Sequence, residues 1–164
     1  MTSTLQAGYP SSGNALTCTL ASLANSTTAG RSSTGYDNSS NKYPDIALSG
    51  KLKTNGSAPT GEKGSFVYVW ASVDGTNNSG SSAEAVGTDV AVTFDANTNL
   101  VGPFFVSMPA AGTTYHFQLP SMKELFGFCP VKGGLVINNQ TGNAYDSTAG
   151  NHGVYWTALQ EGAV

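Results

Sequence analysis

Residues 65–73 read SFVYVWASV, and this stretch decides the fold. Side chains of an extended chain alternate between two faces. Phe66, Tyr68 and Trp70 therefore fall on one side, and Val67, Val69, Ala71 and Val73 on the other. Aromatic and β-branched residues favour strands. Apolar character on both faces predicts a central strand covered twice, by a second sheet and by a loop or a neighbouring subunit. Its limits are marked by a Gly/Pro/Asn loop at 55–64 and a Gly/Asn/Ser loop at 74–83.

Outward from this strand the same period recurs. In 45–54, Ile46, Leu48 and Leu52 face one way, while Ala47, Ser49, Lys51 and Lys53 face the other: a strand with one wet side. In 15–23, Leu16, Cys18 and Leu20 alternate with threonines. Further strands are predicted at 88–95, 99–108, 113–119, 134–138 and 153–160, the last with Val154, Trp156 and Ala158 on one face. Pro103 makes part of 99–108 an edge or a bulge. A short helix is predicted within 120–128, where Ser121 can cap and Glu124 follows three residues on. Residues 25–41 form a polar segment too long for a tight turn. Eight or nine strands with regular turn signals predict an all-β, single-domain antiparallel β-sandwich, jelly-roll-like, over 15–164. Residues 1–14 read as a flexible N-terminal arm in which Leu5 and Tyr9 are the sizeable apolar side chains.

Composition excludes more than it assigns. Ser, Thr, Gly and Asn make up 70 of the 164 residues, and charged residues only 10%. Helical bundles and coiled coils need far more Glu, Lys and Arg on their exposed faces. The net charge of −3 comes with scattered basic residues, so the patch that nucleic acid requires is missing. Neither a long apolar run nor a signal peptide is visible, which predicts synthesis in a cytoplasm and no membrane partner. Cys18 and Cys129 read as free, buried thiols rather than a disulfide. Five Asn-x-Ser/Thr sequons, at Asn25, Asn38, Asn55, Asn77 and Asn139, read as inert in such a chain.

No motif selects a catalytic set. His116 lies in a predicted strand as a structural histidine, and His152 in a Gly/Asn loop where it is expected to be exposed. Neither stands at metal-ligand spacing from Cys or His, so no metal or cofactor is expected. Asp95-x-Asn97-x-Asn99 opens like a calcium loop, but Leu100 and Val106 occupy the positions that need Gly and Glu. Asp74, Asp89, Asp95 and Asp146 sit beside turns, where aspartate is favoured for turn chemistry. The loop aromatics Tyr36, Tyr43 and Tyr145 could stack on sugars or pack over sheet edges. A surface of Ser, Thr, Asn and Gly also costs little to desolvate against another protein.

The stretches 16–33 (LTCTLASLANSTTAGRSS), 43–53 (YPDIALSGKLK), 67–77 (VYVWASVDGTN) and 133–143 (GGLVINNQTGN) follow one another in an order that resembles small β-sandwich virion proteins of tailed bacteriophages, of the capsid decoration (cement) type. The resemblance spans residues 15–160. It implies a jelly-roll-like fold and a non-enzymatic structural role on the outside of an assembled head. The implied partner is the major capsid protein lattice, with homotrimers at symmetry points, after synthesis in the host cytoplasm. No catalytic residue carries over. On physical grounds the arm, with Leu5 and Tyr9, is the expected partner contact. The alternative is a carbohydrate- or receptor-binding module of a phage tail or bacterial surface system, using Tyr36, Tyr43 and Tyr145.

Overall fold

The computed structural model describes residues 5–8, 13–80, 86–94 and 99–163, of which 5–8 and 160–163 as backbone. In chain order the strands are β1 (Leu5–Gly8), β2 (Asn14–Leu16), β3 (Ala29–Ser32), β4 (Tyr36–Asp37), β5 (Asp45–Lys53), β6 (Gly64–Ser72), β7 (Ala91–Thr93), β8 (Val101–Ser107), β9 (Thr114–Gln118), β10 (Lys132–Gln140) and β11 (Gly153–Ala163). One helix, α1 (Met122–Phe126), lies between β9 and β10.

The pairing is that of a long ribbon folded back on itself. β1 and β2 pair with β11, β3 and β4 with β10, β5 with β9, and β6 with β8, all antiparallel. Two further antiparallel contacts, β11 with β5 and β10 with β6, join the halves of the ribbon into two sheets. One sheet runs β1-β11-β5-β9 and the other β7-β3-β10-β6-β8. With β1/β2 and β3/β4 each taken as one interrupted strand, the two orders are 1-8-3-6 and 2-7-4-5. Two Greek keys wrapped in this way make a jelly roll. β7 is an addition, inserted between β6 and β8 and laid against β3.

β6 behaves as its sequence requires up to Ser72; Val73, expected on its inner face, lies beyond the strand and is 67% exposed. Val67, Val69 and Ala71 face the second sheet and share a core with Leu16, Ile46, Leu48, Leu52, Leu135, Ile137 and Val154. Trp70 faces outward and is nonetheless 1% exposed, because Val86, Val92 and Leu100 cover it together with Val136. The second cover is therefore a segment of the chain itself, 86–94, held by an ion pair. Arg31 Nε donates to Asp89 Oδ1 at 2.6 Å and its Nη2 to the Asp89 carbonyl at 2.7 Å. Thr19 adds its backbone N–H and its hydroxyl to the same carboxylate, at 2.8 and 2.6 Å. Asp89 is thus a clasp rather than a turn residue.

Other expectations fare unevenly. β5 alternates between buried and half-buried residues along its whole length, with the wet face as expected. β8 is an edge strand whose register breaks between Val67 and Val69, opposite Gly102 and Pro103. Ser121 caps α1, accepting from the Glu124 N–H at 3.2 Å, and Gly127 closes it at φ 78°. The strand expected over 15–23 stops at Leu16, because Thr17 turns instead to Thr34: its N–H meets the Thr34 hydroxyl and its carbonyl the Thr34 N–H, each at 2.8 Å. The strand expected over 88–95 is only Ala91–Thr93, and the polar segment 25–41 contains two strands, β3 and β4. Leu5–Gly8, expected within a flexible arm, is paired to β11, so these four residues belong to the sheet. Tyr9 lies outside the described residues.

Candidate binding face

The residues singled out for chemistry do not converge. His116 is exposed on β9, whereas His152, expected in solvent, is 8% exposed. Its ring stacks on Tyr145 at 5.5 Å, its Nδ1 accepts the Lys53 N–H at 3.3 Å and its Nε2 meets the Asp146 carbonyl at 2.9 Å. A Gly/Asn loop gives no hint of this, because the partners come from β5 and from residue 146. Cys18 and Cys129 are free thiols. Burial pushes Cys18 up to about 12 and Cys129 up to about 11, so both stay protonated and unreactive near neutrality. Among the described residues no group of His, Cys, Asp and Glu could hold a metal ion, and no helix is long and apolar enough to cross a membrane. Asp95 and Asn97, the opening of the apparent calcium loop, lie outside the described residues.

The tyrosines proposed for sugar stacking are also displaced. Tyr36 and Tyr145 are each 2% exposed and belong to the core between the sheets. The Tyr36 hydroxyl donates to the Pro130 carbonyl at 3.3 Å, and the Tyr145 hydroxyl pairs with that of Ser65. Neither ring can offer a face to a glycan. Tyr43 is half-buried against Trp156, ring centroids 6.3 Å apart. Asp74 and Asp146 are turn residues as expected. Asp74 takes the N–H groups of Thr76 and Asn77, and Asp146 those of Thr148 and the Asn151 amide. These bonds hold both carboxyls below the ordinary range.

His152 gives stability a pH dependence. Burial, the larger cause, lowers its pKa below the usual 6.5, against the nearby Asp146 and in concert with Lys51 and Lys53. The unfolded chain then takes up a proton at a pH where the folded chain resists it. This contribution is complete above about pH 6.5 and is lost as pH falls below that value. Urea titrations between pH 7.5 and 5 should show unfolding free energy falling over that interval in the wild type and a flatter profile in His152→Gln. The depressed carboxyls Asp37, Asp89 and Asp146 add their own loss only in the more acidic carboxylate range.

What remains open is the outer face of the β1-β11-β5-β9 sheet. Strand alternation sends Ala47, Ser49 and Lys51 of β5, His116 and Gln118 of β9, and Tyr155 and Thr157 of β11 to this side. The register aligns them in rows: Tyr155, Ser49 and Gln118 form one, and Gly153, Lys51 and His116 the next. Around these rows lies an open depression of about 500 Å³ lined by Ser49, Lys51, His116, Phe117, Gln118 and Tyr155. A smaller one of about 200 Å³ follows over Ala47, Ser49, Gln118 and Thr157. The Lys51 ammonium donates to the Gly150 carbonyl at 2.8 Å, which fixes one cation at the edge of the face.

Tyr155 is placed on this face by two glycines. A side chain at Gly153 would collide with the Tyr155 hydroxyl and sit 2.7 Å from Cζ, while the Cβ position of Gly13 is 3.8 Å from its Cβ and Cδ1. The ring therefore runs back along its own strand, over Gly153, with one side against the sheet. The inward positions Val154, Trp156 and Ala158, legible in the sequence, already imply that Tyr155 and Thr157 point out. No local motif marks them as more than a wet strand face. Compared with family models, with curated proteins and with solved structures, the chain matches none.

Proposed function

We propose that this protein is a non-enzymatic virion structural protein that decorates the outside of an assembled phage head and stabilises it, as a trimer bound to the major capsid protein lattice after synthesis in the host cytoplasm. Supporting this is the ribbon at one end of the sandwich, the single observation on which the proposal stands. β5 begins opposite Leu159, so β11 beyond that residue pairs only with β1, from Gly8↔Gln160 to Leu5↔Ala163. A two-stranded ribbon is marginal alone in water. Among the described residues no further strand pairs with its outer edges, and a strand of a lattice neighbour can add there. The neutral Ser/Thr/Asn surface lowers the desolvation cost of such contacts. Binding only the assembled lattice stabilises it by mass action, and many copies multiply a modest gain per site.

The experiment is sedimentation of the purified chain with heads of the phage whose genome encodes it. The full chain should pellet with the heads. Deletion of residues 2–8 should lower occupancy about tenfold or more while the melting transition of the sandwich remains, because β2 still pairs with β11 through 154–156. Equal occupancy of the deleted form would remove the ribbon from the interface. A full chain that stays in the supernatant would end the decoration proposal.

A further inference from the structure

We propose that the outer face of the β11-β5-β9 sheet is a binding platform for neutral oligosaccharides, with the Tyr155 ring as the stacking surface and Ser49, His116 and Gln118 as the polar contacts. This does not depend on the capsid role, and the ribbon takes no part in it. Three observations select the ligand class. First, the far end of the Tyr155 ring passes over Gly153 and the residue is only half-buried, so part of the ring is open to solvent. The negative face of an aromatic ring attracts the weakly positive C–H groups that a pyranose presents on one side. Second, the neighbours in register carry a hydroxyl, an amide and an imidazole, donors and acceptors suited to sugar hydroxyls, on an open surface of about 500 Å³. Third, the only ammonium in the depression is already bound to the Gly150 carbonyl, and no carboxylate lines it. Lys51 keeps its charge, but one solvent-exposed cation is a weak counter-charge for an acidic glycan.

A second protein chain fits this face poorly. Protein interfaces centre on apolar anchors. Among the described residues the exposed large apolar side chains are Val73 at 67%, Phe105 at 51% and Phe128 at 46%, and none of these three lies on β5, β9 or β11. The depression instead offers polar side chains beside Tyr155 and Phe117. Such open sites bind weakly and gain through repetition.

The test is titration of isotope-labelled full chain with maltohexaose, cellohexaose, chitohexaose and a galactan hexasaccharide, followed by amide chemical shifts. At least one should shift Ser49, Lys51, His116, Gln118 and Tyr155 together, with a dissociation constant of about 1 mM or tighter. Tyr155→Ala should weaken binding about tenfold or more, and Tyr155→Trp should retain it, both with unchanged melting. Tyr155 is half-buried and outward, so its loss leaves the core between the sheets intact. The proposal fails if no neutral sugar shifts these residues at about 10 mM. It fails equally if Tyr155→Ala binds as the wild type does, or if a heparin hexasaccharide binds the face as well as the neutral sugars. Shifts on this face that track protein concentration without sugar would make it a contact between copies and overturn the assignment.

Discussion

Trp70→Ala is expected to lower the unfolding free energy by about 3–5 kcal/mol, the range for deleting a large buried aromatic side chain. Domains of this size hold only about 5–15 kcal/mol in total, so the variant should lose about a fifth or more of its stability. Trp70 is the centre of the outer cluster, packed with Val86, Val92, Leu100 and Val136. Its indole lies over two glycines. A Cβ at Gly134 would stand 2.7 Å from Nε1, and one at Gly35 2.8 Å from Cζ2. Glycine is needed at both positions because the ring occupies the space of their side chains. Removal of the ring leaves a void that this bed cannot fill. Trp70→Phe should cost much less. It keeps most of the apolar contact, and it removes an indole N–H that is buried without a hydrogen-bond partner. Urea unfolding followed by fluorescence and by far-ultraviolet circular dichroism checks both variants. A loss below about 1 kcal/mol in Trp70→Ala would show that segment 86–94 packs independently of the ring.

Asn139→Leu should be nearly as damaging, at about 3 kcal/mol or more, although leucine is close to asparagine in shape. Asn139 is fully buried near the end of β10. Its Nδ2 donates to the carbonyls of Leu23 and Asn143, each at 2.8 Å. Its Oδ1 accepts the Thr141 N–H at 3.0 Å and the Thr141 hydroxyl at 2.8 Å. Leucine offers none of these bonds, and the Leu23 carbonyl and the Thr141 N–H lose a partner where water has little access. Asn138, next to it on the opposite face, holds the Ser26 and Ala29 carbonyls at 2.8 and 2.6 Å. The Asn-Asn pair thus pins residues 23–29 from both sides of one strand. Thermal melting of Asn139→Leu beside Asn41→Leu, at an exposed position, separates burial from residue type. A melting temperature equal to that of the surface variant would refute the clamp. The same burial closes the Asn139 sequon to glycosylation in the folded chain.

The strands that the sequence announces are those whose burial is written in apolar side chains. Ile46, Leu48 and Leu52 mark β5, and the doubly apolar run from 65 to 73 marks β6 with both of its covers. β3 carries no such mark. Its buried residues are Gly30 and Ser32, selected for close approach: a Cβ on Gly30 would come 2.7 Å from the Ile137 carbonyl oxygen. Hydrophobic periodicity is blind to a strand buried through its smallness. Ser33 is a similar case. Its hydroxyl accepts the Leu135 N–H at 2.9 Å while its own N–H meets the Leu135 carbonyl at 2.8 Å, so a side chain completes the ladder between β3 and β4. Tyr36 and Tyr145 have small and polar neighbours in sequence, and partners more than 70 residues away draw them inside. For the binding face, the period showed which side chains point out. Only the pairing of three distant strands shows that Tyr155, Ser49 and Gln118 stand in one row.

The pairing of β1 and β2 with β11 and of β6 with β10 also fixes an order of events during synthesis. The most apolar strand, β6, is finished some 60 residues before β10. At about 5–20 residues per second, the nascent chain therefore waits about 3–12 s with one edge of β6 unsatisfied. β5 waits longer still for β11, and no sandwich can close until residues 153–159 have left the ribosome. Low charge offers little repulsion between neighbouring nascent chains in that interval. Crowded polysomes should therefore be the step at which this protein is lost to aggregation, and slower initiation or a bound chaperone should raise its yield more than any gain in the stability of the finished fold.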